Sequence, residues 1–339
     1  MNEQIEVLIT VPFPDKLINS LIALSPRLKI HLVAAQKPAE ISTDLWKRIE
    51  VLYTARILPS LDQAPRMRWI QFHLAGLDHV SNAPILSKPE VKVTTASGIM
   101  ASQMAEYVVA MLLSLGHHLP DLGSLQRRAE WPRDRWERFS PRELRGSKVG
   151  IVGYGSIGRQ IARLLQPFGA EVLATKRDAM HPEDHGYIPD GMGDPNGEMV
   201  HRLYPAQALR SMIKLSDFVV VCVPLTSETR NLIGAQELAE FKPDAYLVDV
   251  SRGGVVDHAA LLTALKERRL AGAALDVFSE EPLPEDNPLW KAPNLILTPH
   301  ISGISAQFDE RALQLFVENL RRYMASQPLL NIFDPEQGY

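Results

Sequence analysis

The stretch 147–178 constrains the fold of this chain most. It reads SKVGIVGYGSIGRQIARLLQPFGAEVLATKRD, which predicts a short strand, a glycine-rich turn, an amphipathic helix and a second strand. Gly153, Gly155 and Gly158 form the pattern GxGxxG directly after the predicted strand 149–152. Gly153 allows the tight turn, Gly155 lets the backbone approach a pyrophosphate, and Gly158 lets the helix pack closely on the strand. Because the helix also directs its N-terminal amides at bound phosphates, the stretch predicts a dinucleotide site.

The end of the second strand bears on which dinucleotide is bound. A carboxylate there accepts hydrogen bonds from the adenosine ribose, whereas a cation accommodates a 2′-phosphate. This strand runs into Lys176 and Arg177, which attract a phosphate, so the sequence favours NADP. Asp178 keeps NAD open, because a slip of two residues would bring a carboxylate to the ribose.

Composition limits the compartment and the partners. The chain has 339 residues, enough for two domains, and a formal net charge of −4, which gives no reason to expect nucleic acid as a partner. Its one cysteine, Cys222, lies in the apolar run FVVVCVP, which predicts a buried strand residue and excludes an internal disulfide. No stretch is apolar for the length of a membrane span, so we expect a cytoplasmic protein that binds no membrane.

Apolar runs and helical patterns alternate on both sides of the glycine motif. The pattern predicts a parallel α/β domain before about residue 98, a long helix over 101–119, and a second α/β domain. A last amphipathic helix over 306–325 is expected to return to the first domain. The predicted domains are therefore 1–98 with 305–339, and 99–304. Within the second predicted domain, residues 178–204 are rich in Gly, Pro and Asp, which predicts a long exposed loop. Its HPEDH sequence indicates a solvated segment and no metal site.

Three polar residues follow successive predicted strands of the second domain. Arg252 follows YLVDVS, Glu281 follows ALDVFSE, and His300 follows LILTP. Open α/β sheets bind ligands at the carboxyl ends of their strands. An arginine, a carboxylate and a histidine gathered there are suited to reducing a ketone beside a carboxylate.

Several separate motifs resemble the D-isomer-specific 2-hydroxyacid dehydrogenases, in particular those that reduce glyoxylate and hydroxypyruvate. The resemblance is carried by residues 231–303, from NLIGAQELAEF to LILTPHISG, and by VPLTSETR, GYGSIG, MAEYVVAMLL and LAGLDHV. It covers most of the chain. It implies a two-domain α/β fold in which a Rossmann cofactor domain is inserted into a smaller flavodoxin-like substrate domain. It also implies hydride transfer between NAD(P)H and a small 2-oxo acid or D-2-hydroxy acid, in a homodimer that contacts its partner through residues 122–146.

The family's functional positions fall on identifiable residues. Its catalytic arginine, glutamate and histidine correspond to Arg252, Glu281 and His300. Arg252 would orient the substrate's carboxylate and keto oxygen, His300 would donate the proton, and Glu281 would hold the histidine ring and favour its charged form. The backbone clamp for the substrate carboxylate corresponds to Leu74, Ala75 and Gly76. The remaining cofactor contacts correspond to Tyr154, Ser156 and Ile157 at the pyrophosphate, Val223, Pro224 and Thr229 beside the adenosine half, Val250 and Ser251 under the nicotinamide, and Asp276 and Gly303 near its carboxamide.

The sequence departs from the family pattern in two places. Lys176 stands where NAD-dependent members commonly have a ribose-binding aspartate, and the 178–204 loop is longer than is usual. In similar glyoxylate and hydroxypyruvate reductases a tryptophan reaches the partner subunit's substrate pocket, a role open here to Trp131 or Trp136. Two other functions remain open: oxidation of phosphite on the same fold, and a dinucleotide-sensing protein similar to the family's corepressors. Formate oxidation is disfavoured, because formate dehydrogenases of the family carry glutamine at the position of Glu281.

Overall fold

A computed structural model of the chain describes residues 4–77, 80 and 82–334. Asp78, the last residue of the HLAGLD turn, lies outside them, as do the two ends of the predicted first domain. The chain forms two compact units, one of Met1–Ile99, His185–Tyr187 and Ser305–Tyr339, the other of Met100–Asp184 and Ile188–Ile304.

The regular elements are short and alternate along the chain. The strands are β1 (Ile5–Ile9), β2 (Leu28–Leu32), β3 (Val51–Thr54), β4 (Trp69–Phe72), β5 (Lys92–Thr94), β6 (Lys148–Val152), β7 (Glu171–Lys176), β8 (Arg202–Pro205), β9 (Phe218–Val221), β10 (Tyr246–Asp249), β11 (Gly272–Leu275) and β12 (Leu295–Leu297). The α-helices are α1 (Asp15–Ile22), α2 (Thr43–Trp46), α3 (Ala101–Gly116), α4 (Leu119–Arg127), α5 (Arg135–Arg138), α6 (Ser156–Leu165), α7 (Leu209–Leu215), α8 (Ala235–Leu238), α9 (His258–Lys266) and α10 (Phe308–Met324). Short 3₁₀ turns occur at Pro38–Glu40, Pro84–Ser87, Gln166–Phe168, Ala206–Ala208 and Pro288–Lys291.

Each unit contains one parallel sheet. The first unit has the strand order β2-β1-β3-β4-β5, which is the flavodoxin-like order. The second has the order β12-β11-β10-β9-β6-β7-β8, a doubly wound Rossmann sheet whose order reverses between β6 and β9. These two sheets confirm the predicted fold class.

Apolar side chains cover both faces of the larger sheet, as parallel sheets require. In β9, Val219 and Val221 join one buried cluster, while Phe218 and Val220 join the cluster on the other face. This two-sided burial explains why the strands read as continuous apolar runs. The same rule holds in the smaller sheet, whose two faces are covered by separate clusters that include Leu52 on one side and Val51 on the other.

Two sequence-based predictions of local structure were wrong. The helix predicted over 101–119 ends at Gly116, because His118 adopts a left-handed backbone conformation with φ of +55° and starts a new helix direction. The loop predicted over 178–204 contains the beginning of strand β8, which pairs with β7 at the sheet edge. With four residues and only Tyr204 buried, β8 carries too weak a periodic pattern to be recognised.

Candidate active site

The glycine turn between β6 and α6 has the geometry that a pyrophosphate needs. Gly153 has φ of +103°, and a Cβ there would lie 2.7 Å from Cγ1 of Val223. A Cβ on Gly158 would collide with the carbonyl oxygen of Gly153, which is the close approach of helix to strand predicted above. The space around a Cβ on Gly155 is open. The turn therefore fits a dinucleotide phosphate group approaching the backbone at Gly155.

The first turn of α6 supplies the amides for such a group. Ser156 and Ile157 are its first two residues, and helix N–H groups at these positions have no acceptor within the helix. The amides of Gly153 and Tyr154 instead donate to the carbonyl oxygen of Thr175, over 3.3 and 2.9 Å. Tyr154 thus braces the turn, and its buried phenol donates to Asp194 over 2.5 Å.

Lys176 is the last residue of β7 and Arg177 follows it, at the position predicted for the adenosine ribose. The Lys176 ammonium donates to the carbonyl oxygens of His181 and Glu183, the latter over 3.3 Å. The Arg177 guanidinium lies 3.7 Å from a carboxylate oxygen of Glu228. The predicted adenosine contacts belong to the turn after β9, where the Thr229 hydroxyl donates to the carbonyl oxygen of Pro224 over 2.6 Å and Val223 packs on the glycine turn.

Glu281 and His300 are in direct contact. Nδ1 of His300 lies 2.8 Å from Oε2 of Glu281, and the other carboxylate oxygen accepts the amide of Phe278 over 2.9 Å. The His300 side chain is 43% exposed and that of Glu281 is 35% exposed. Because Glu281 takes Nδ1, the Nε2 atom is the ring nitrogen left to exchange a proton with a ligand.

Asp276 holds the turn that carries His300. It is fully buried at the end of β11. Its Oδ1 accepts the Thr298 hydroxyl over 2.6 Å and the Ile301 amide over 2.9 Å, and Oδ2 accepts the Ser302 amide over 2.8 Å. Charge-assisted bonds of this kind are strong, so they fix the backbone on both sides of His300, whose own φ is +52°.

Arg252 lies in the turn after β10. Its Nη1 donates to the carbonyl oxygen of Ser251 over 2.8 Å, and Oδ1 of Asp249 accepts the Ser251 amide over 3.0 Å. A Cβ on Gly253 would collide with the carbonyl oxygen of Phe278, so this turn is pressed against the backbone that leads to Glu281. The structure therefore gathers the three predicted catalytic residues at one edge of the sheet, with Glu281 and His300 hydrogen-bonded.

Comparison with known proteins decides the family. Residues 109–302, more than half of the chain, match the D-isomer specific 2-hydroxyacid dehydrogenase NAD binding domain. A glyoxylate reductase of Thermofilum pendens is 33% identical over 262 residues, which cover 77% of this chain and 73% of that protein. The chain belongs to the D-isomer-specific 2-hydroxyacid dehydrogenase family. It is accordingly an NAD(P)-dependent oxidoreductase that interconverts 2-oxo and 2-hydroxy acids, as predicted.

Solved structures of this dehydrogenase family share its fold along nearly the whole chain. A D-isomer specific 2-hydroxyacid dehydrogenase of Xanthobacter autotrophicus Py2, in complex with NADPH, is 29% identical and has a TM-score of 0.77, covering 99% of this chain and 100% of that one. An NADPH-dependent glyoxylate/hydroxypyruvate reductase of Sinorhizobium meliloti, in complex with NADP, is 26% identical with the same TM-score and the same coverage. The phosphite and corepressor alternatives find no support in these comparisons.

The remaining predicted residues of this dehydrogenase lie in turns that follow strands or the His300 turn. Val250 and Ser251 follow β10, and the Ser251 hydroxyl donates to Asp249 over 2.5 Å. Gly303 follows the His300 turn, and its carbonyl oxygen accepts the Gln103 amide over 3.0 Å. Leu74, Ala75 and Gly76 follow β4 in the other unit.

The turn at Leu74–Gly76 is held within its own unit by His73. The Ala96 amide donates to the carbonyl oxygen of Leu74 over 3.1 Å. Nδ1 of His73 lies 2.8 Å from the hydroxyl of Tyr53, and the ring meets that of Phe308 edge-on at 4.9 Å. Burial lowers the pKa of His73, and the nearby Asp309 opposes that shift.

Sequence reasoning missed two residues, Tyr107 and Asp249, that contact the turns carrying the predicted catalytic residues. The Tyr107 hydroxyl lies 2.7 Å from Thr298 Oγ1, which extends the Asp276 network into α3. Burial raises the pKa of Asp249 to about 7, with the charge of Asp276 adding to the shift. Tyr107 lies in the quoted motif MAEYVVAMLL, and Asp249 ends the strand before Arg252, but neither shows its partner in the sequence.

The cysteine, metal and membrane expectations can be compared with the part of this dehydrogenase that the structure describes. The Cys222 thiol, one residue past β9, donates to the carbonyl oxygen of Gly153 over 3.2 Å, and burial raises its pKa to about 12. Within residues 4–77, 80 and 82–334, no group of three or more His, Cys, Asp or Glu side chains could hold a metal ion. Nor is any helix in those ranges long and apolar enough to cross a membrane.

Proposed function

We propose that this enzyme uses NADPH to reduce small 2-oxo acids, such as glyoxylate or hydroxypyruvate, to the corresponding 2-hydroxy acids. The observation that carries the proposal is the 2.8 Å contact between His300 and Glu281, beside the turn of Arg252. The relatives described above include reductases named for these substrates. The substrate chemistry needs an anion-binding cation and a proton donor at one edge of the sheet, and the site offers both.

His300 acts as the proton donor in this proposal. NADPH, when bound, supplies the hydride to the carbonyl carbon of the substrate. The imidazolium Nε2 gives its proton to the carbonyl oxygen, so the product is the 2-hydroxy acid and the ring is left neutral. Glu281 accepts from Nδ1, which fixes the orientation of the ring and leaves Nε2 for the substrate.

Arg252 orients the substrate in this proposal. A guanidinium presents two donors in a fixed fork, which suits a carboxylate and the adjacent keto oxygen of a 2-oxo acid. The turn that carries Arg252 is fixed by the Asp249–Ser251 hydrogen bonds and by the close packing of Gly253. A fixed turn lowers the entropy lost when substrate binds.

The preference for NADPH over NADH rests on Lys176 and Arg177. Both cations stand at the end of β7, where the sequence places the ribose of the adenosine half. Two solved relatives carry NADPH or NADP. A 2′-phosphate at this point would gain charge-assisted hydrogen bonds, whereas a ribose hydroxyl would gain less.

The proposal extends to the assembly and the compartment. We infer a homodimer that buries residues 122–146, because Trp131 and Trp136 are 82% and 78% exposed there and each lies near the Arg135 guanidinium. Light scattering during size-exclusion chromatography would give twice the 37.9 kDa chain mass.

We also propose a cytoplasmic location, which fits the single cysteine, because one cysteine cannot form an internal disulfide.

A panel of 2-oxo acids tests the function directly. Each acid is incubated once with NADPH and once with NADH, and oxidation of the nucleotide is followed by absorbance. We expect turnover with glyoxylate or hydroxypyruvate, faster with NADPH. Tight binding of nucleotide without oxidation by any acid would contradict the proposal.

A further inference from the structure

Arg159, in the first turn of α6, is buried to 1% exposure, although it is outside the glycine motif and has no part in the chemistry described so far. Burying a guanidinium is costly unless its charge and its donors are matched. A feature of this kind therefore needs a structural or functional reason.

The partners of Arg159 come from the loop after β7. Nη1 donates to the carbonyl oxygen of Asp194 over 2.6 Å, and Nη2 donates to that of Pro182 over 2.5 Å. Nε lies 3.4 Å from a carboxylate oxygen of Asp184. The guanidinium also lies over the ring of Tyr154, 4.7 Å from its centroid. One side chain thus binds the loop at three points separated along the sequence.

Asp194 continues this attachment within the loop. Its carboxylate accepts the Tyr154 hydroxyl over 2.5 Å and the amides of Glu198 and Met199 over 3.0 and 2.9 Å. Two further side chains of α6 bind Gly193, Gln160 at its amide over 2.7 Å and Arg163 at its carbonyl oxygen over 2.6 Å. Two parts of the 178–201 segment, around Pro182–Asp184 and Gly193–Asp194, are therefore bound to α6, although the composition of the segment predicts a loop exposed to solvent.

The beginning of the same loop, at residues 181–183, binds Lys176. The carbonyl oxygens of His181 and Glu183, on either side of Pro182, accept from the Lys176 ammonium. Burial lowers the pKa of Lys176, and the nearby positive charge of Arg159 lowers it further. A lysine alone is a mobile point charge, whereas one held by two carbonyl oxygens is directed.

Two carboxylates of the loop, Asp184 and Asp178, are paired in the same arrangement. Asp184 faces Arg159, and Asp178 lies 2.6 Å from Nδ1 of His181 and accepts the Met180 amide over 3.0 Å. These pairs matter because an unpaired carboxylate close to Lys176 would repel a phosphate. Arg159 therefore has two contacts of different kinds, since it binds the loop backbone and offsets the charge of Asp184.

We propose that Arg159 is a positioning residue for cofactor specificity: by anchoring the 178–201 loop it directs Lys176 and offsets Asp184, so that the loop forms the wall of the 2′-phosphate site. This inference rests on the proposed use of NADPH. It gives the long loop a function, namely discrimination between two nucleotides that differ only in that phosphate.

The test compares dissociation constants of NADPH and NADH, measured by nucleotide fluorescence without substrate. In Arg159→Met we expect the Kd for NADPH to rise about tenfold or more and that for NADH to change less than about threefold, because only the phosphate depends on the loop's charge. Hydrogen exchange should become faster in peptides covering 178–201. The matched control is Arg210→Met, an exposed arginine paired with Glu237 over 3.2 Å, which should change neither constant.

A second variant covers the case in which Arg159→Met does not fold. Asp184→Asn removes the carboxylate that faces Arg159 and keeps the guanidinium, so the Kd for NADPH should fall relative to that for NADH. An unchanged ratio of the two constants in both folded variants overturns the inference. If the unmodified protein binds NADH as tightly as NADPH, the proposed cofactor preference is wrong. If the ratio of the two Kd values nevertheless changes in these two variants, the proposed role of the loop still holds.

Discussion

Two segments follow strands at opposite sides of the larger sheet, and each is held by a buried side chain of opposite charge. At the end of β11 the buried carboxylate of Asp276 accepts a hydroxyl and two backbone amides from the turn that carries His300. At the end of β7 the buried guanidinium of Arg159 donates to carbonyl oxygens of the loop that binds Lys176. We call these the reaction end and the adenosine end.

The difference follows from the backbone that each end must hold. A tight turn of five residues can direct several N–H groups at one point, and a carboxylate satisfies them. A long loop returns past α6 with its carbonyl oxygens inward, and a guanidinium with five donors satisfies those. The two ends should therefore fail separately, with changes at the reaction end affecting turnover and changes at the adenosine end affecting nucleotide binding.

The largest expected effect is at the reaction end. Replacing His300 by Ala removes the proposed proton donor, so kcat for the 2-oxo acid should fall by roughly 10²–10⁴. The Kd for NADPH should stay within about twofold, since His300 has no contact with the 178–201 loop. Steady-state kinetics and fluorescence titration give the two values. An unchanged kcat would remove His300 from the mechanism, and a parallel loss of NADPH binding would show that the two ends are coupled.

A smaller effect is expected from Asp276→Ala, which keeps Arg252, Glu281 and His300 but removes the hydrogen bonds that hold the turn carrying His300. The amides of Ile301 and Ser302 lose their acceptor, at a cost of about 1–3 kcal/mol of unfolding free energy for each group left unsatisfied. Because His300 then loses its fixed position, kcat should fall by up to about a hundredfold.

Hydrogen exchange locates the effect of that change. Exchange should increase over residues 298–302 and stay constant over 178–201. The matched control is Asp257→Ala, which removes a carboxylate that accepts the amides of Ala259 and Ala260 at the start of α9. It should cost about 1 kcal/mol of stability without lowering kcat. Equal losses of kcat in the two variants would contradict a specific role for Asp276.

Arg252→Lys should affect substrate binding more than the chemical step. Lysine keeps the charge and loses the planar fork, so the KM for the 2-oxo acid should rise about tenfold while the Kd for NADPH stays constant. Initial rates over a range of acid concentrations separate KM from kcat. Arg210→Lys is the matched control. A wild-type KM in Arg252→Lys would contradict the proposed fork.

Sequence reasoning reached the reaction end because short motifs carry it. The residues Arg252, Glu281 and His300 each follow a strand within a few positions, and parallel strands bring their carboxyl ends to one edge. The glycine turn was predictable for the same reason. Each of these inferences needs only local spacing and the strand order.

The adenosine end was only partly predictable. Lys176 and Arg177 were identified from their position after β7, but the order within the 178–201 loop depends on Arg159, which precedes its partner Asp194 by 35 residues. Nothing local marks such a pair, because an arginine in a helix is commonly exposed. For the same reason the contact of Tyr107 with Thr298, 191 positions later, could not be predicted. The left-handed conformation of His118, which follows the early end of α3, was also not predicted.

The smallest effect distinguishes the two ends by their response to pH. Burial raises the pKa of Asp249 to about 7, so the folded protein holds this proton more tightly than the unfolded chain does. The contribution of Asp249 to the free energy of unfolding is therefore largest at low pH and is lost as the pH rises from about 4 to about 7. The guanidinium of Arg159 stays charged throughout this range and adds no such dependence.

The variant Asp249→Asn tests this difference, because it removes the titrating group while Oδ1 still accepts the Ser251 amide. The difference in unfolding free energy between pH 5 and pH 8, measured by urea denaturation, should be smaller in the variant than in the unmodified protein by about 1–3 kcal/mol. The half-buried histidines His73 and His258, whose pKa values burial lowers, titrate in both proteins and cancel in this comparison. Equal pH dependence in the two proteins would mean that Asp249 is ionised in the fold, and that the reaction end is no more sensitive to pH than the adenosine end.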